Sequence, residues 1–142
     1  MQLSFFDYTM QYQGGKKSMK FLNEMKELIP FKEIEEILIK EGIYKAEVGK
    51  KGGRPYTPAK ILIGALFLQN WYNLSDPMTE ELIHDRISFR KFLDIKDEDT
   101  IPDETTICKF RNKLIKKKLL SKIFDEVKKM MIKKSLYSMR VL

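Results

Sequence analysis

Cysteine is nearly missing from this chain. Cys108 stands alone, so no intramolecular disulfide can form, and a reducing compartment, the cytoplasm, is the expected location. Histidine is as scarce: His84 is the only one, which excludes a histidine-based metal cluster and leaves a general base without visible partners, so a helix-surface or capping role suits it better. No apolar run approaches the ~20 residues that span a bilayer. The longest, Ile61 to Leu68, is closed by Gln69 and Asn70, and the N-terminus lacks the basic, apolar and small-residue succession of a secretory leader. No segment alternates with period two, so the expected class is all-α; no glycine-rich phosphate loop or serine-nucleophile signature appears either.

What is abundant is lysine. The 142 residues carry 27 Lys and Arg against 20 Asp and Glu, a net charge of +7. That length holds one domain with a real core, or a domain and a tail, and leaves no room for a second, catalytic domain. With 43% hydrophobic and 33% charged residues the chain has a globular balance, so a folded protein is expected. The charge is concentrated: between Thr105 and Lys134 eleven basic residues face only Asp125 and Glu126, a surplus of nine. Such a face suits a polyanion, whose condensed counterions are released on binding, although a solvated lysine-rich surface has the same composition.

Helical periodicity organises most of the chain. Phe21, Leu22, Met25, Leu28 and Ile29 share one helix face; Pro30 then interrupts, as a first-turn residue of a second helix carrying Phe31, Ile34, Ile37 and Leu38 and ended by Gly42. Residues 42–56 hold four glycines among Lys45, Lys50, Lys51 and Arg54 without apolar periodicity, which reads as a basic flexible linker. Its KKGGRP end, with Arg54, is either a solvated loop or an arm able to enter a minor groove.

Thr57 and Pro58 are expected to cap and open a helix that is apolar on most sides, the central core element. Asn73 and Leu74 make a turn, Ser75 caps the next helix, Asp76 complements its dipole, and Pro77 fits within the first turn. A short helix capped by Ser88 follows, then a loop from Asp94 to Asp103 whose carboxylates lack the glycine and terminal glutamate of an EF-hand and read as solvated. Asp103 caps a helix with the buried stripe Ile107, Phe110 and Leu114, and a last amphipathic helix runs from Leu119 to about Lys134. The expected core comprises Ile61, Leu66, Trp71, Phe89, Phe92, Ile107, Phe110 and Leu114, with Cys108 as a buried, inert thiol.

The helix after Asp103 carries the candidate chemistry. Opposite its apolar stripe lie Thr105, Lys109, Asn112 and Lys116. In a helix-turn-helix the second helix enters the major groove, where an asparagine can read an adenine edge, a lysine can reach guanine acceptors, and threonines can touch phosphate or a thymine methyl. The candidate DNA-binding residues are therefore Arg54, Thr105, Thr106, Lys109, Asn112, Lys113, Lys116 and Lys117. Arg111 borders the stripe and is either a phosphate contact or half of an ion pair with Asp85 or Asp103. On periodicity alone an ordinary amphipathic surface helix is the slightly better fit.

Six stretches carry a resemblance. GRPYTP from Gly53, LFLQNWYNLSD from Leu66, RISFRKFL from Arg86 and PDETTICKFRNKL from Pro102, together with MQLSFFDY at the start and FLNEMKELIPFKEI from Phe21, resemble the N-terminal, InsH-like domain of bacterial insertion-sequence transposases of the DDE class. The resemblance extends from Met1 to about Arg140. It implies a helix-turn-helix-like core that binds double-stranded DNA at the terminal inverted repeats of a mobile element. The expected organisation is an N-terminal extension (1–20), a helical collar (21–41), the basic linker (42–56), a helical DNA-binding domain (57–134) and a truncated tail (135–142). The enzymes it resembles cut DNA with two magnesium ions held by three carboxylates on a separate fold. Those carboxylates are not expected here, so neither catalytic residue, metal nor cofactor is assigned. The expected partners besides DNA are a second copy or a full-length transposase, which such a fragment can inhibit, and no membrane; a gene remnant without a role is the remaining alternative.

Overall fold

The computed structural model describes residues 15–45 and 57–141, with side chains over 16–45 and 57–134. The described residues form seven α-helices and no strand, the all-α class expected. They are α1 (Gly15–Leu28), α2 (Phe31–Lys40), α3 (Ala59–Tyr72), α4 (Asp76–Asp85), α5 (Ile87–Leu93), α6 (Glu104–Lys116) and α7 (Leu120–Val141). None is long and apolar enough to cross a membrane.

A helix apolar all round has no solvent side and must lie inside. α3 is such a helix: ten of its fourteen residues are buried, and α2, α4, α5 and α6 all pack on it. α1 lies against α5 and α7, and α4 bridges α5 and α6. α5 packs tightly on α3 at Gly64, where a Cβ would come within 2.2 Å of Leu93 Cδ2. Ile61, Leu66, Phe89, Phe92, Ile107, Phe110 and Leu114 are buried as expected. Trp71 is a correction: it is only half-buried, its ring held at the core's edge by Phe21, Phe67 and Phe92 at centroid distances of 5.1, 5.3 and 5.7 Å. The neighbouring Tyr72 is the fully buried ring of that turn. Its hydroxyl and Ser18 Oγ lie 2.5 Å apart, each satisfying the other. Burial pushes the Tyr72 phenol up, against the smaller opposing effects of the Ser18 hydrogen bond and of Arg86. Ser18 belongs to α1, which begins at Gly15 and so starts earlier than the apolar pattern suggests.

Several helix ends differ from expectation. Pro30 and Pro58 occupy the cap positions of α2 and α3 rather than their first turns, and no side chain caps either helix. A proline fixes φ and lacks an N–H, so it can end the preceding extended segment as well as open a helix. Ser88 lies inside α5 and caps nothing; extended Arg86 ends α4 and starts α5 in a single residue. Ser75 does cap, accepting from Met78 N–H at 3.2 Å, with Pro77 in the first turn. Asn73 and Asp94 close α3 and α5 in the left-handed region at φ 55° and 52°, a conformation these short polar side chains tolerate. α7 continues past Lys134 to Val141.

Candidate functional site

α6 is fixed at its N-terminus by two carboxylates. Asp103 accepts from Thr106 N–H at 2.7 Å, as its position before the helix predicts, and Glu80 reaches from α4 to accept from Glu104 N–H at 2.7 Å. The stripe Ile107, Phe110 and Leu114 is buried to within 5% and faces the core. At 100° per residue, Thr105, Lys109, Asn112 and Lys116 then fall within about 60° of one another, nearly opposite that stripe. All four are exposed, and so are Thr106, Lys113 and Lys117 along one flank. Asn112 Nδ2 donates to Cys108 Sγ at 3.6 Å across one helical turn. Cys108 is half-buried, not fully buried, because it sits on the shoulder between stripe and exposed face. Arg54 lies outside the described residues.

Arg111 pairs with neither Asp85 nor Asp103. Its Nη1 and Nη2 donate to Asp76 Oδ1 and Oδ2 at 2.5 and 2.8 Å, a bidentate fork, and Nη1 also donates to Gln69 Oε1 at 3.1 Å. Gln69 Nε2 in turn donates to Asp76 Oδ1 at 2.5 Å. One residue each from α3, α4 and α6 thus closes a small polar network over the core. The hydrogen bonds from Arg111 hold the Asp76 carboxyl below its usual range, outweighing burial, and that same pairing raises Arg111 further. Arg111 is therefore a positioning residue that sets how α6 presents its outer face. The sequence signal for it was present in two halves, an arginine beside an apolar stripe and an aspartate in another helix's first turn. Only the fold joins them.

Charge along α6 is polarised in a way that counting lysines missed. Glu80, Asp103 and Glu104 crowd the N-terminal end, beside the loop carrying Asp97, Glu98 and Asp99, while Lys109, Lys113, Lys116 and Lys117 occupy the rest. Lys118 turns the chain through the left-handed region at φ 59° into α7, whose described lysines are exposed. The Lys129–Glu126 pair, 3.9 Å apart and mostly exposed, neutralises little of this surface. His84 is an exposed last-turn residue of α4. In the acidic loop, Asp94 accepts from both Lys26 and Lys60, and Asp99 Oδ2 accepts from Lys96 N–H at 2.8 Å. No group of three or more His, Cys, Asp or Glu among the described residues is arranged to hold a metal ion.

A family model described as a transposase domain (DUF772) matches residues 11–113. The match takes in α1 through the exposed face of α6 as far as Lys113 and leaves Lys116, Lys117 and α7 outside. No solved structure matches the chain.

Proposed function

This chain belongs to the DUF772 transposase-domain family, and from that premise we propose that it is a double-stranded-DNA reader that recognises the terminal inverted repeats of an insertion sequence. One observation carries the reading: α6 exposes an amide and lysine face directly opposite its buried stripe, and the Arg111–Asp76–Gln69 network holds that helix to two neighbours. A rigid helix with polar, cationic residues on its outer side is what major-groove entry requires. The carboxylates at its N-terminus repel phosphate, so contact centres on the middle and C-terminal half of α6. Lys109 and Asn112 meet base edges there, Lys113, Lys116 and Lys117 meet phosphates, and Thr105 and Thr106 contribute least.

Alanine substitution combined with cognate and scrambled duplexes tests this assignment. Lys109→Ala or Asn112→Ala is expected to reduce discrimination between the two by ~1–3 kcal/mol. Lys116→Ala or Lys117→Ala is expected to weaken both duplexes alike and lower the salt slope by about 0.9 for each phosphate no longer neutralised. Equal effects from all four variants overturn the division between base and backbone contacts.

A further inference from the structure

Away from α6, a cleft of about 750 Å³ lies between α1, the start of α3, α5 and the turn that follows it. Its apolar lining is Pro58, Ile61, Ile87, Leu93 and Ile95. Around it stand five cationic side chains, Lys26, Lys60, Arg90, Lys91 and Lys96, against two carboxylates, a surplus of three positive charges. Both carboxylates are committed. Asp94 is shared between the Lys26 and Lys60 ammonium groups, which holds those cations at the cleft, and Asp99 caps the Lys96 N–H. Lys26 Nζ also donates to Lys91 carbonyl oxygen at 3.0 Å, and Lys60 Nζ lies 5.2 Å from the centre of the Phe31 ring. Arg90 spends one N–H, donating from Nε to Ile83 carbonyl oxygen at 3.2 Å. Its terminal nitrogens, with the Lys91 and Lys96 ammonium groups, hold no bond to another described residue.

A concave surface with fixed cations at its wall and unspent N–H donors at its rim suits a phosphate oxyanion. No residue of α6 lines it. We propose that this cleft is a second, separate anion site that takes backbone phosphate of the bound DNA. The identity of the phosphate as DNA rests on the DNA-reading assignment; the anion chemistry of the cleft does not.

The test uses the whole chain and the double variant Lys91→Gln/Lys96→Gln, with Lys32→Gln/Lys40→Gln on α2 as a control of equal charge loss. Duplex binding is measured from low to high salt, and amide shifts are followed while inorganic phosphate is added. The expected result is a salt slope lowered by ~1–2 in the cleft variant, from about 0.9 per phosphate, with the control unchanged. An unchanged slope in the cleft variant, with phosphate still shifting the amides of residues 90–96 in the native chain alone, assigns the site to free phosphate and overturns the DNA source. No slope change and no such shifts overturn the site itself. Should the native chain bind no duplex at all, the DNA reading falls and the phosphate titration alone decides the cleft.

Discussion

Arg111 and Asp76 are 35 residues apart in sequence and meet as a fork that joins the middle of α6 to the start of α4. Their side chains are 28% and 19% exposed, so water screens the pair only partly. Removing the guanidinium takes both fork bonds from the Asp76 carboxylate, leaving it Gln69 Nε2, and unpairs the Gln69 carbonyl, and Arg111→Ala is expected to cost about 1.5–3 kcal/mol in urea unfolding. Arg111→Lys keeps the charge but not the planar fork, and should recover less than half of that loss. Were Arg111 instead a phosphate ligand, lysine would restore it and stability would hardly move. The pair also has a pH signature. Because Asp76 titrates below its unfolded value of about 3.9, its contribution is fully present above that value and is lost as pH falls through the lower folded value. Unfolding free energy should therefore decline below about pH 4 in the native chain and decline less steeply in Asp76→Asn. Asp94 differs in kind: burial pushes its carboxyl up, the hydrogen bonds and charges of Lys26 and Lys60 outweigh this, and it ends below its usual range. At 47% exposure it should add only weakly to the same acid limb.

Helices are the scale at which the sequence was most legible, because a 3.6-residue period marks the amphipathic elements, an unbroken apolar run marks α3, and neither needs knowledge of neighbours. The Asp103 and Ser75 caps were legible for a related reason: each bond closes within three residues. What was hidden lies between elements. Ser88 has the right chemistry for a cap but the chain bends at Arg86, and Pro58 takes the place offered to Thr57. In the candidate site, the outward set Thr105, Lys109, Asn112 and Lys116 could be read from spacing, whereas Glu80 over the start of α6 depends on how α4 lies beside it. Gly64 is the sharpest case, an inconspicuous residue in a run of apolar ones. Leu93 and Phe92 are 1% exposed, so a side chain added at Gly64 must displace packed neighbours, Leu93 Cδ2 first. Gly64→Val is therefore expected to cost about 1–3 kcal/mol through overpacking. Gly64→Ala should lose less, since alanine's helix propensity returns up to about 1 kcal/mol. A thermal midpoint unchanged in both would mean that α3 and α5 are not in the close contact described.

At the scale of the whole molecule, the described surface mixes both signs of charge, and it is around α6 that they separate. Lysines line the outer side of α6 and continue along α7 beside Asp125 and Glu126, a second basic group rims the cleft at α5, and acidic residues gather around the start of α6. On the proposed DNA-reading role, that separation would favour one orientation of the duplex, since rolling it toward the acidic end brings phosphate against carboxylate. It also bears on chemistry. Two-metal phosphoryl transfer needs carboxylates that converge, unpaired, on one point of a rigid scaffold. Here Asp94 is taken by two lysines, Asp99 by the Lys96 amide and Asp103 by the Thr106 amide. Bringing these three to one metal would dismantle the α5 to α6 connection and the start of α6. We therefore expect this chain, given magnesium or manganese and an inverted-repeat duplex, to bind without nicking it. The measurement is strand scission on a denaturing gel alongside a binding curve under identical conditions. A metal-dependent nick that disappears in Asp97→Asn, Asp99→Asn or Asp103→Asn would show that the acidic turn rearranges into a catalytic centre, and the division between DNA reading and DNA cutting would not hold for this chain.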